Sequence, residues 1–171
     1  VISEDGFIVT CGHVLGDPLE HDYYVWLNKQ SYAARVVAMP AKVLASEPFS
    51  DLAVLKIDAS NLTPATFGQT ELRKGQFVLA LGNPQAIARD GRASASWGII
   101  SNLNRVAPAD VASSGDSGKE TLHHFGTLIQ TDAKLNLGTS GGALLNLSGE
   151  MVGLTLSLAA AIGYEQSAGF A

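Results

Sequence analysis

Short apolar runs, each closed by Gly, Pro, Asn, Asp or Ser, fill this chain from end to end, and no stretch sustains a 3.6-residue apolar period. That pattern most limits what the chain can become, because helices need long periodic segments and strands do not. The runs predict strands over 6–10, 23–27, 32–39, 42–45, 52–57, 76–81, 94–101, 127–131, 142–146 and 151–157. Many short strands at close spacing point to an all-β barrel or sandwich. At 171 residues and 46% hydrophobic content, the chain is long and apolar enough for one domain with a substantial core.

Charge narrows the functional classes. The net charge is −5 and only 16% of residues are charged, with no basic run, so the footprint needed to hold phosphates is missing and nucleic acid is excluded as a partner. The most apolar stretch, 151–163, is interrupted by Thr155 and Ser157 and falls short of the roughly 20 residues of a bilayer span. It reads as buried strand and pocket wall, with no membrane contact expected. Cys11 is the only cysteine, so no intrachain disulfide can form. It reads as a small buried hydrophobe. His123 and His124 have no partner at zinc-site spacing, so no metal site is expected.

Three segments carry candidate chemistry. In Gly138-Thr139-Ser140-Gly141-Gly142, small residues bracket a serine. Glycines permit a sharp turn and leave backbone N–H groups uncovered, so Gly138 and Ser140 could both donate to a developing oxyanion. Alone, the motif describes any Gly-rich turn between strands. His13 follows one apolar run, however, and Asp51 heads another. A serine hydroxyl needs a base, and the base needs a group that fixes its tautomer. The chain order His13, Asp51, Ser140 is one of the three known triad orders and separates fold families. Asp132, eight residues before Ser140, reads instead as an acceptor for nearby backbone.

With these residues in view, the chain resembles the protease domain of the HtrA/Deg family of trypsin-like serine proteases. Five segments match in order: SEDGFIVTCGHV, SDLAVLKID, RKGQFVLALGNP, IQTDAKLNLGTSGGALLNLSGEMVGL and the closing SAGFA. The resemblance implies a chymotrypsin-like double β-barrel, two six-stranded barrels with the active site in the cleft between them. The barrels would span about 1–62 and 76–171 of a single domain. It implies His13 as general base, Asp51 as its orienting acid, Ser140 as nucleophile and Gly138 with Ser140 as oxyanion hole. No cofactor is implied. Thr139 replaces the aspartate that digestive relatives pair with a new N-terminus, which argues against activation by N-terminal cleavage.

The expected function is a serine endopeptidase of HtrA/Deg type acting on unfolded or misfolded polypeptides. The alternative is a chaperone-like or scaffold relative that binds unfolded chains with little turnover. The resemblance places the protein outside the cytoplasm, in periplasm or cell envelope, and allows a homotrimer in the full-length protein; both ends of this chain read as cuts in a longer one. For the substrate pocket, the residue six before the serine, Lys134, and the wall segment Leu154, Thr155 and Leu156 are the candidates. Lys134 reads as solvent-directed and the wall as apolar, because an unpaired buried ammonium is costly. Tyr23, Tyr24 and Trp26 read either as core or as a subunit contact. A flexible loop is expected over 104–125, where large apolar residues are few.

Overall fold

The computed structural model describes residues 1–17, 19–38, 51–69, 71–84, 92–105, 128–136, 138–156 and 169–171. Along the strands burial alternates with a two-residue period, because successive side chains point to opposite faces of the sheet. In β4 (Leu52–Ile57), Ala53, Leu55 and Ile57 are buried. In β5 (Phe77–Gly82), Val78 and Ala80 are buried.

β4 pairs antiparallel with β1 (Phe7–Cys11) and with β3 (Gln30–Ala38), and β2 (Tyr23–Leu27) closes the order β1-β4-β3-β2. Asn28 and Lys29 both take positive φ, which makes the tight two-residue turn that brings Leu27 opposite Gln30. Leu15, Ala53 and Leu55 form the centre of this half, packed by Ile8, Tyr23, Val25, Ala34 and Val36.

The second sheet has the order β10-β7-β6-β5-β8-β9. Its remaining members are β6 (Ser94–Arg105), β7 (Leu128–Thr131), β8 (Ala143–Asn146), β9 (Met151–Leu154) and β10 (Gly169–Phe170). Val78, Ala80, Ile100, Ala133, Leu135 and Leu144 are its core. Bulges interrupt the β3–β4, β6–β7 and β8–β9 pairings and curl the flat ladders. The result is an all-β molecule of two curled antiparallel sheets. The Cys11 thiol at the end of β1 donates to the Thr155 carbonyl just after β9 at 3.6 Å, and the segment connecting β4 to β5 is tied to the second sheet where Met151 N–H donates to the Thr66 carbonyl at 2.7 Å.

The expected strands at 23–27 and 52–57 match β2 and β4 at both ends. β6 runs four residues beyond its expected end at 101. Asn104 and Arg105, expected to open a loop, instead complete β6; the rest of that expected loop, with His123 and His124, lies outside the described residues, as does the strand expected over 42–45. One element was not foreseen, the single helical turn α1 (Gly12–Leu15). Four residues are too few to show a helical period. Among the described residues, no helix is long and apolar enough to cross a membrane.

Candidate active site

β1 ends at Cys11 directly opposite Leu52, the first residue of β4. That register sets Gly12 beside Asp51, and Gly12 N–H donates to the Asp51 carbonyl at 2.8 Å. The chain then turns into α1, which carries His13. Asp51 is buried, 5% exposed, and both carboxylate oxygens are used by one residue. Oδ1 accepts from the His13 backbone N–H at 2.8 Å, and Oδ2 makes a short contact with His13 Nδ1. A carboxylate can only accept, so Nδ1 carries the proton and Nε2 is the nitrogen not engaged by Asp51. The imidazole is 40% exposed and the carboxylate 4%. An imidazole oriented by a buried carboxylate follows from the pairing of two strand ends.

Ser140 is positioned by different means. Gly138 and Gly141 take φ of +87° and +82°, values that favour glycine. Thr139 is buried, its N–H and hydroxyl both donating to the Asn136 carbonyl at 3.1 and 2.7 Å. Gly141 N–H donates to the Thr155 carbonyl at 2.9 Å and Gly142 N–H to the Thr139 carbonyl at 3.0 Å. The Thr155 hydroxyl, itself fully buried, also donates to the Thr139 carbonyl. A Cβ on Gly142 would collide with the Leu81 carbonyl oxygen, and one on Gly141 with Thr10 Oγ1. The serine turn thus rests on β5 and on the strand residue three before His13. Among the described residues, the Gly138 N–H has no backbone hydrogen-bond partner.

Ser140 and Gly138 line an open cavity of about 420 Å³, completed by Tyr24 and Trp26 of β2 and by Asn83 and Arg92 at the ends of β5 and β6. His13 and Asp51 stand outside its lining. Tyr24 and Trp26, left open between core and contact, are 63% and 39% exposed here. Arg92 and Asn83 were missed because only the pairing of Gly82 with Ser94 brings them to the serine. The motif itself says nothing of them.

The residues assigned to a substrate pocket do not share one wall among the described residues. Lys134 is exposed and lines, with Pro84 and Ser96, an adjoining cavity of about 220 Å³ that shares Leu81, Gly82 and Thr139 with the one at Ser140. Leu154 lines an apolar hollow with Val9 and Phe67. Thr155 and Leu156 are buried, Leu156 N–H donating to the Phe170 carbonyl at 2.7 Å. Asp132 Oδ1 accepts from Ile99 N–H at 2.6 Å, a backbone-supporting role.

Cys11 Sγ lies within 4.8 Å of ligand atoms of His13 and Asp51. Its thiol is pushed up to about 12, first by burial and then by the Asp51 charge. A protonated thiol is neither nucleophile nor metal ligand. Any cation would also have to part His13 from Asp51.

Comparison with known proteins adds to this geometry. Residues 1–154 match the family model described as a trypsin-like peptidase domain. A probable periplasmic serine endoprotease, DegP-like, from Halomonas elongata is 37% identical over 155 residues, covering 90% of this chain and 27% of that protein. A protein of the same description from Chlamydia muridarum is 34% identical over 175 residues, covering all of this chain and 30% of its own length. The chain thus spans under a third of these curated relatives. Among solved structures, the HtrA-type protease AlgW with decapeptide superposes with a TM-score of 0.75 at 31% identity, over 99% of this chain and 45% of that one. The serine endoprotease from Yersinia pestis gives 0.69 at 31% identity, over 100% and 50%. On these matches, and on a sheet pair of the same shape, the chain belongs to the HtrA/DegP-like family of trypsin-like serine endoproteases.

Proposed function

We propose that this chain is the proteolytic unit of an endopeptidase that cleaves unfolded or misfolded polypeptides. The carrying observation is the His13–Asp51 pair, because a buried carboxylate that spends both oxygens on one histidine is the arrangement a general base requires. Ser140 Oγ attacks the scissile carbonyl while His13 Nε2 takes its proton and later returns it to the leaving amine. Asp51 holds the tautomer and stabilises the imidazolium. The N–H groups of Gly138 and Ser140 receive the oxyanion, each donor worth about 3 kcal/mol in such sites. These steps use this chain's own groups and call on no cofactor. The site would join an N-terminal unit of about 1–62 to a C-terminal unit of about 76–171.

Peptides are the ligands named for the AlgW structures, which supports polypeptide as the substrate class. The curated relatives are named periplasmic, which supports the same compartment for this protein. Incubation with reduced casein, beside a Ser140→Ala control, tests the reading. Peptide release that disappears in the control is the expected result. Casein bound but cut by neither protein would replace the reading with the chaperone-like one.

A further inference from the structure

Tyr23 and Val25 of β2 pack against the core of the first half, so the two-residue period of a strand turns Tyr24 and Trp26 to the other face. Neither of those two rings belongs to either core. The residues opposite them on β3, Ala33 and Ser31, are too small to cover them. β2 is also the last strand of its sheet, so no strand lies along its other side among the described residues. Both rings stay exposed. They line the same cavity as Gly138 and Ser140 and are the only aromatic residues described along it. On the serine side of that cavity, Gly138, Gly141 and Gly142 carry no side chain to fill it. A polypeptide that reaches Ser140 through this cavity passes along the two rings.

We infer that Tyr24 and Trp26 form a subsite for an aromatic side chain of the substrate polypeptide, within three residues of the scissile bond. The inference rests on Ser140 being the nucleophile. A cavity of about 420 Å³ is roughly 9 Å across, under three residues of extended chain at about 3.3 Å each, and this sets the distance from the bond. Side chains two apart on a strand stand about 7 Å apart, twice the contact distance of about 3.5 Å between carbon atoms, so one ring of the substrate fits against both. Tyr and Trp suit such a contact because each presents a large rigid face and loses little conformational freedom on binding. Covering a Phe side chain against the pair is worth about tenfold in kcat/KM over Ala.

The test is a peptide set with Phe, Leu or Ala placed in turn at each of the three positions on either side of the cleaved bond. Wild-type protein should cleave the Phe peptide about tenfold faster than the Ala peptide at one or more positions, with Leu between them. Tyr24→Thr with Trp26→Thr should bring the ratio at that position near one, because Thr keeps the strand and removes the rings. Tyr24→Phe with Trp26→Phe should keep most of it. Because the readout is a ratio, a general loss of activity cancels. Equal cleavage of the Phe and Ala peptides by wild-type protein overturns the inference, and so does a Phe preference that the double Thr variant retains at every position. A double Thr variant that changes its oligomeric state and leaves the ratio intact makes the rings a subunit contact and overturns it too.

Fluorescence separates this inference from the proposed activity. Trp26 and Trp97 are the two tryptophans of the chain, so in Ser140→Ala protein that also carries Trp97→Phe the tryptophan emission comes from Trp26 alone. The Phe peptide should bind this protein about tenfold more tightly than the Ala peptide and move the emission to the blue as apolar groups replace water at the indole. If wild-type protein cuts no peptide, the protease reading fails, while the blue shift with tighter binding supports the subsite. Equal binding with unshifted emission ends it.

Discussion

The two halves of the candidate site are built on opposite principles. His13 is placed by another side chain, with Asp51 fixed under it through the β1–β4 register. Ser140 is placed by the absence of side chains, since glycines at 138, 141 and 142 let the turn approach β5 and Thr10. The first half depends on chemistry, so a shape-conserving change there should cost rate while the fold stays intact. The second depends on shape, so small additions should displace Ser140 and loosen the fold together. The comparison predicts two different signatures for substitutions that are equally small.

The largest effect is expected at Asp51. Asp51→Asn keeps the volume and an oxygen able to accept from the His13 backbone, but it presents the wrong partner to Nδ1. Casein cleavage should fall by about 10⁴-fold with a melting temperature close to wild type. A loss under tenfold would show that the carboxylate is not what orients the base.

Gly142→Ala should give the other signature. One methyl group must move a backbone carbonyl, that of Leu81, and no flexible side chain can yield instead. Overpacking of this kind costs about 1–3 kcal/mol. Displacing Ser140 by about 1 Å costs about 10²-fold in rate. Denaturant midpoint and peptide release should therefore drop together. If stability falls while the rate holds, the turn is a structural clip and not the nucleophile's support.

The same contrast explains what could be read from the sequence. His13, Asp51 and Ser140 stand out because each lies at the edge of an apolar run, and β2 and β4 are legible because their period-two patterns stop at polar residues. β6 is longer than its pattern because Asn102 and Asn104 fall where bulges shift the pairing, so alternation breaks while the strand continues. The surroundings of Ser140 were not legible for a related reason. Arg92 and Lys134 lie 48 and 6 residues from the serine in sequence, and the nearer one lines the adjoining cavity and not the one at Ser140. Proximity along a chain says little about a cavity assembled from three strands and the turns between them.

A smaller effect should come from Thr155→Val, which conserves shape and deletes one hydroxyl. The Thr139 carbonyl keeps the Gly142 N–H as a partner and is not orphaned. The cost should be about 1 kcal/mol, or roughly 2–4 °C in melting temperature. Activity should fall only a few-fold. A loss of activity comparable to that of Gly142→Ala would mean the hydroxyl, and not glycine packing, sets the turn.

The smallest and most selective prediction concerns Cys11, which lies where the two halves meet. Burial first, and the Asp51 charge second, push its thiol up to about 12 from an ordinary value near 9. Below pH 9 the thiol is protonated in both folded and unfolded chains and contributes nothing to pH dependence. Between about 9 and 12 the unfolded chain gives up this proton while the folded one keeps it. The unfolded state then binds fewer protons, so stability falls as pH rises across that window. Urea unfolding at pH 8 and pH 10.5 should show a smaller loss for Cys11→Ala than for the wild type. The folded protein at pH 8 should also resist iodoacetamide, because almost no thiolate is present. Rapid alkylation of folded protein would place Cys11 in a looser seam than the strand register implies, and would weaken the claim that the serine turn is held against β1.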